Sequence, residues 1–292
     1  LKAAAGGGGI GMKIISGEDQ LETLFLQAKS EAKKSFNDDT IYMEKYLEKP
    51  RHIEIQIFGD GKGKAVHLGE RDCSLQRRHQ KVLEETPSPG VTPDEVKKIG
   101  KICSDAVSKM KYEGAGTIEF LYENREFFFI EMNTRLQVEH PITEAVFGID
   151  LVKEQIRVAS GMDMSLSQET LKPRGHAIEC RINAERLPSF SPSPGNIKEF
   201  HSPGGIGIRM DSAIYNGFKV PPFYDSLIGK LVVHADSRSL AISRLSRALD
   251  ELIIDGVHTT MDLFKEIIDE EDFKSGEYNI HWLEHWLSNK VQ

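Results

Sequence analysis

Near the middle of the chain, Glu131–Pro141 (EMNTRLQVEHP) carries a polar side chain at every second position: Glu131, Asn133, Arg135, Gln137 and Glu139. In an extended strand alternate side chains share a face. The row then offers oxygen ligands for a hard cation, a guanidinium and an amide to grip a small anion, and a carboxylate to act as a base beside it. A structural ladder of ion pairs would use the same residue types.

Just upstream, GTIEFLYENREFFFIEM reads as a hairpin. A three-residue turn at Asn124, Arg125 and Glu126 places Glu119 directly opposite Glu131. Like charges so placed repel. A divalent cation between them reverses the sign, Asn133 adds a third oxygen, and Mg²⁺ or Mn²⁺ suits such donors. The other reading is a polar edge facing water. Phe127 and Phe129, on the same face as Glu131 by strict alternation, favour burial, where bare carboxylates are costly.

Three further stretches stand out. AAAGGGGIGMK, residues 3–13, satisfies GxGxxG in form, yet no strand precedes it. Its Walker-like spacing lacks the Lys-Ser/Thr pair, because Met12-Lys13 stands there. Both fingerprints fail. What remains is a glycine loop whose backbone N–H groups can approach phosphates, or a floppy turn. QRRHQK, residues 76–81, is a basic hexamer of the kind common on solvated faces. ECRINAE sets Ile178, Cys180 and Ile182 against Glu179, Arg181 and Asn183.

These residues need a scaffold. The 292 residues are 39% hydrophobic and 28% charged, ordinary for a soluble globular protein. The net charge of −8 argues against binding nucleic acid or anionic membranes. No apolar run approaches the roughly 18 residues of a membrane span, and no basic-then-apolar secretion signal opens the chain. Cys73, Cys103 and Cys180 form no CxxC pair, which fits a reducing cytosol and gives no sign of zinc or a disulfide framework. Helical spacing marks EDQLETLFLQAKSEAKKSF (Leu21, Leu24, Phe25, Ala28), a helix from near Pro93 with Asp94 and Glu95 in its first turn, residues 143–160 and three C-terminal segments. Strands and hairpins lie between, one turning at Asp60–Gly63. Hairpins with segregated helices predict an α+β or mixed-sheet protein. The domain break is expected near Tyr46, giving units of residues 1–46 and 47–292.

Taken together, KAAAGGGGIGM, YMEKYLEKPRHIEIQ, ERDCSLQRRHQKVLEE, GAGTIEF, FIEMNTRLQVEHPITE, RGHAIECRINAE, PPFYDSLIGKL and NIHWLE resemble the biotin carboxylase family of ATP-grasp enzymes. The resemblance runs along the chain in family order. It implies an ATP-grasp fold, here the end of the lid domain followed by the C-terminal domain with the active site. It also implies ATP- and Mg²⁺- (or Mn²⁺-) dependent carboxylation of biotin by bicarbonate through carboxyphosphate.

The implied nucleotide contacts are Lys2, Gly6, Gly7, Gly8, Gly9 and Met12 in the lid, and Glu44, Lys45 and Leu47 around adenine. Leu121 and Ile280 are implied pocket walls, and His52, Gln76 and His79 ribose and phosphate neighbours. Glu119, Glu131 and Asn133 are the implied metal ligands, and Lys81, Arg135, Gln137, the Val138 backbone and Glu139 the bicarbonate cradle. Glu139 is the implied base, and Arg181 the group that stabilises biotin enolate. Implied partners are a biotin carboxyl carrier protein, carboxyltransferase subunits and a second copy of the chain, in the cytoplasm.

The opening LKAAAGGGG, without an initiator Met, raises the expectation that an N-terminal domain precedes it. The ending NIHWLEHWLSNKVQ, without a biotin-attachment AMKM motif, resembles that of the free-standing subunit of bacterial acetyl-CoA carboxylase. Alternatives are the corresponding part of a propionyl-CoA, methylcrotonyl-CoA or pyruvate carboxylase, another ATP-grasp ligase, or a non-enzymatic nucleotide-binding module.

Overall fold

In this computed structural model the described residues are 1–5 and 11–290. The chain divides into two compact units, Leu1–Lys49 with Arg78–Gln80, and Pro50–Arg77 with Lys81–Gln292.

The first unit is built on helix α1 (Glu18–Phe36), as its spacing predicts. Glu18 and Asp19 sit in its first turn, Lys33 and Lys34 in its last, and Asn37 closes it in the left-handed conformation at φ 57°. This charge order favours the helix dipole at both ends. Its buried face is Ala28 and Ala32, while Leu21 and Phe25 stay exposed. A two-residue ladder pairs Lys2–Ala3 with Ile41–Tyr42.

The second unit is organised by one large sheet. Its strands are β1 (Arg51–Asp60), β2 (Ala65–Arg77), β3 (Gln80–Thr86), β4 (Glu113–Glu123), β5 (Glu126–Asn133), β6 (His176–Asn183), β7 (Ile208–Ser212) and β8 (Leu227–Ala235). Their order is β7-β8-β6-β3-β2-β1-β4-β5. Helices α2 (Pro93–Lys109), α3 (His140–Phe147), α4 (Leu151–Ala159), α5 (Arg238–Glu251), α6 (Met261–Asp269), α7 (Glu271–Ser275) and α8 (Trp282–Lys290) complete it. The mixture is α+β, as expected.

Local chemistry sets the ends of these elements. Thr92 and Glu95 form a reciprocal capping box at the start of α2, with Pro93 in its first turn. The single helix expected over 143–160 is instead α3 and α4. Gly148 ends α3 at φ 65°, and the Asp150 side chain caps α4 by accepting from Lys153 N. Leu245, Leu249, Phe264 and Ile267 of α5 and α6 bury against Ile178, Cys180, Ile182, Leu231 and Val233 of the sheet. Each such large side chain contributes roughly 1.5–3 kcal/mol.

One buried polar knot pins this core. The fully buried Glu85 of β3 accepts from His176 Nε2 at 2.6 Å, from Arg238 Nε at 2.7 Å and Nη2 at 2.9 Å, and from the Tyr278 hydroxyl. Burial alone would raise this carboxyl; the His176 and Arg238 bonds outweigh it and lower it to about 2. A group lowered on folding stabilises above its unfolded value and loses that contribution as pH falls through its folded value. Acid titration followed by urea denaturation is therefore expected to show stability draining away from about pH 4.5 toward about 2. Glu85→Gln should flatten that slope, and an unchanged slope would count against this account.

Candidate active site

One face of the sheet is polar although it is buried. On β1, His52, Glu54 and Gln56 alternate with Ile53, Ile55 and Ile57, and all six side chains are buried. Across the ladder Glu54 pairs with both Arg71 of β2 and Glu119 of β4. Arg71 is fully buried and holds this face together. Its Nε donates to Glu54 Oε1 at 2.5 Å, Nη1 to Gln56 Oε1 at 2.5 Å and Thr143 Oγ1 at 3.0 Å, and Nη2 to Thr117 Oγ1 at 3.2 Å and Gln137 Oε1 at 2.8 Å.

The β4–β5 hairpin brings Glu119 and Glu131 face to face, though not by the expected turn. The turn has two residues, Asn124 and Arg125, at φ 51° and 66°. Asn tolerates this region, and Arg125 is anchored by donating Nε to Glu95 Oε1 at 2.9 Å. Glu123 pairs with Glu126 and Phe120 with Phe129, and then the register shifts so that Glu119 pairs with Glu131. Ile130 is thus the extra residue of a β-bulge. The bulge also corrects the expected faces. Phe127 and Phe129 lie with Phe120 and Tyr122, on the side opposite Glu131. Glu131 is exposed rather than buried.

Asn133 joins the two carboxylates. Its Nδ2 donates to Glu119 Oε1 at 3.1 Å and to Glu131 Oε1 at 3.2 Å, while its Oδ1 accepts from Arg135 Nη2 at 3.2 Å. His52 Nε2 lies 3.0 Å from Glu119 Oε2. Burial alone would raise the Glu119 carboxyl; the His52 contact and the Lys81 charge outweigh it and hold it well below the usual range. The two carboxylates thus meet at the Asn133 amide through its nitrogen, while its oxygen faces Arg135; with the amide turned over, the three side chains would offer the hard-oxygen donors that suit Mg²⁺ or Mn²⁺.

Beyond Asn133 the extended row expected as far as Glu139 is not a strand. β5 ends at Asn133, and Glu139 begins helix α3 with φ −81° and ψ 7°. The side chains converge all the same. Gln137 is locked from both ends, donating Nε2 to Glu119 Oε1 at 2.7 Å while accepting from Arg71. The Val138 carbonyl accepts from Lys230 Nζ at 2.9 Å. Glu139 is 2% exposed, and each of its carboxylate oxygens meets a cation: Lys81 Nζ at 2.6 Å and Arg181 Nη2 at 2.9 Å. Arg135 is exposed and meets neutral acceptors, Asn133 Oδ1 and the Leu136 carbonyl, which leaves its charge available to an anion.

Lys81 gathers three carboxylates: Glu54 at 2.5 Å, Glu139 at 2.6 Å and Glu119 at 3.0 Å. Burial alone would lower this ammonium; Glu54 above all, with Glu139 and Glu119, raises it instead. Arg181 links Glu139 to Glu84, donating Nε to Glu84 Oε1 at 2.6 Å.

The expected nucleotide residues divide between the units. In the second, the buried Gln76 contacts His52 Nδ1 at 2.7 Å, and His52 pairs with Leu121 across the ladder. The Ile280 amide donates to the Pro50 carbonyl at 3.0 Å. In the first, Lys2 and Glu44 form an ion pair at 3.6 Å, Met12 and Lys45 are exposed, and Leu47 is buried. His79 sits in the Arg78–His79 turn at φ 62°. Gly6, Gly7, Gly8 and Gly9 fall outside the described residues. Sequence reading assigned no role to Arg71, Glu54, Glu84 or Lys230. The available signal was HIEIQ, a run that alternates polar and aliphatic residues.

Residues 1–167 match the family described as carbamoyl-phosphate synthase L chain, ATP binding domain, and residues 179–285 match the biotin carboxylase C-terminal domain. The biotin carboxylase of Haemophilus influenzae is 56% identical over 97% of this chain and 63% of its own length. A pyruvate carboxylase subunit of Methanothermobacter thermautotrophicus is 52% identical over 98% of this chain and 58% of its own length. A solved biotin carboxylase–β-γ-ATP complex from Campylobacter jejuni superposes with a TM-score of 0.90 at 48% identity, covering 97% of this chain and 64% of that one. The biotin carboxylase domain dimer of Hydrogenobacter thermophilus 2-oxoglutarate carboxylase, in complex with MgADP, ADP and bicarbonate, gives 0.89 at 45% identity, covering 97% and 63%. The chain therefore spans less than two thirds of the length of these relatives. Both halves of the chain agree with this match, and the chain belongs to the biotin carboxylase family within the ATP-grasp group.

Proposed function

We propose that the protein carrying this chain carboxylates biotin with bicarbonate at the expense of ATP. One observation carries the reading: Glu139 is held between Lys81 and Arg181, next to the Glu119 and Glu131 carboxylates that the Asn133 amide joins. That arrangement puts a base, a guanidinium for developing negative charge and a metal-ligand set on one face.

In this reading Arg135 and Gln137 hold bicarbonate, and Glu139 removes its proton. The bicarbonate oxygen attacks the γ-phosphorus of ATP, ADP leaves, and carboxyphosphate forms. This breaks down to CO₂ and phosphate, and the phosphate takes the N1 proton of biotin. Arg181 stabilises the resulting enolate as it attacks CO₂. Glu119, Glu131 and Asn133 would hold Mg²⁺ or Mn²⁺, which when bound neutralises charge on the transferring phosphoryl group. The nucleotide assignments of Lys2, Gly6–Gly9, Met12, Glu44, Lys45, Leu47, His52, Gln76, His79, Leu121 and Ile280 belong to the same reading. The H. thermophilus relative, described as a dimer with MgADP and bicarbonate, supports the choice of substrates and a homodimer.

The reading extends to a free-standing acetyl-CoA carboxylase subunit that works in the cytoplasm with a biotin carboxyl carrier protein and carboxyltransferase subunits, at the first step of fatty acid synthesis. Among the described residues no helix is long and apolar enough to cross a membrane. The similar identity to a pyruvate carboxylase subunit supports a second reading, with a keto acid as the final acceptor. The partner that co-purifies with the full-length protein separates the two.

The primary test is ADP release by the full-length protein. It is expected to require both bicarbonate and free biotin, to stop when EDTA strips the metal, and to return with Mg²⁺ or Mn²⁺. Release indifferent to bicarbonate and biotin would sink the proposal.

A further inference from the structure

Behind Arg181 lies a carboxyl pair that the proposed reaction does not use. Glu84 of β3 and Glu179 of β6 are direct partners across the ladder, and both are completely buried. Two like charges facing each other out of water are destabilising. Yet three of the four oxygens, Glu84 Oε2 and both of Glu179, meet no hydrogen-bonding partner among the described residues. The fourth, Glu84 Oε1, accepts from Arg181 Nε at 2.6 Å, while Arg181 Nη2 reaches Glu139 Oε2 at 2.9 Å. One guanidinium is thus shared between a carboxylate of the reaction centre and a carboxyl behind it.

We propose that Glu84 is a positioning residue for Arg181: when ionised it clamps the Nε edge and holds the guanidinium against Glu139, and when protonated it lets go, with Glu179 neutral behind it throughout. The inference deepens the biotin-carboxylation reading and rests on it.

The groups facing the pair fit a clamp that works near neutrality. Arg181 and Glu139 face Glu84, with Lys81 on its own strand, and Lys230 of β8 lies on the Glu179 side. Burial raises the Glu84 carboxyl to about 7, with Arg181 and Lys81 opposing the rise and Glu139 adding to it. Burial likewise raises Glu179 well above the usual carboxyl range, with the Glu84 charge adding and Lys230 and Arg181 opposing. The sign follows: Glu84 is protonated below about pH 7 and ionised above it, so the clamp closes as pH rises.

The test compares wild type with Glu84→Gln in the full-length protein, measuring biotin-dependent kcat from about pH 6 to about 8.5. Taking the ratio of the two rates cancels titrations of bicarbonate and biotin common to both. The ratio is expected to start near one, climb through about pH 7 and level at about tenfold, with KM for MgATP unchanged. A ratio flat with pH overturns the clamp. In an Arg181→Ala background, Glu84→Gln should cost nothing further, and a second, equal loss would show that Glu84 acts by another route. Should Glu84→Gln fail to fold, infrared titration of wild type decides. A carboxylic C=O band must disappear between about pH 6 and 8, and its absence overturns the assignment. Wild type that lacks biotin-dependent turnover defeats the function proposed above, and the infrared titration still judges the clamp.

Discussion

Glu139→Gln in the full-length protein is expected to lower bicarbonate-dependent ATP cleavage by about 10²–10⁴-fold, the range lost when a positioned general base is removed. The substitution keeps the size of the side chain and removes its basicity. Its neighbours keep partners: Lys81 retains Glu54 and Glu119, and Arg181 retains Glu84. The fold should therefore survive, and the thermal midpoint should stay close to that of wild type. The loss belongs in kcat, because a proton taken only as the nucleophile attacks is a transition-state interaction. Steady-state kinetics with bicarbonate as the varied substrate measures it. A rate within a few-fold of wild type would remove Glu139 from the role of base.

The second large effect is on stability. Arg71→Met preserves most of the aliphatic stem and deletes a guanidinium that makes five hydrogen bonds in a fully buried position. Among the described residues Glu54 would keep only Lys81, and Gln56 Oε1 and Gln137 Oε1 would lose the Arg71 donor. Leaving one partner of a buried ion pair uncompensated costs about 3–5 kcal/mol, and unpaired amide oxygens add to that. Urea denaturation of the full-length protein gives the number. Adding Glu54→Gln to Arg71→Met should recover part of the loss, since the carboxylate that lost its buried guanidinium is then gone. A single-variant cost below about 1 kcal/mol would show that Arg71 is not what holds this face together.

What could be read from sequence follows the range of the interactions involved. The bounds of α1 and the start of α2 near Pro93 rest on residues a few positions apart, and both were legible. The opposition of Glu119 and Glu131 was reached through a turn one residue too long, and the bulge at Ile130 compensated for that extra residue. A bulge leaves no pattern in EFFFIEMN that alternation alone could reveal, so the face of Phe127 and Phe129 came out reversed. Gly148 was equally silent, because an isolated glycine is also tolerated inside helices. Arg71 was missed for another reason. Its partners lie 15 to 72 residues away, and only the folded sheet gathers them.

Ile130 makes the β4–β5 hairpin modular. On the turn side of it, the strand carries rings that meet Phe120 and Tyr122 edge-on or tilted, in a register counted from a two-residue tip. On the far side, the count restarts and the strand carries Glu131 and Asn133. Tip and working end thus answer to separate constraints, turn chemistry for one and the placing of carboxylates for the other. A single aliphatic joint keeps changes in either from being transmitted along the strand.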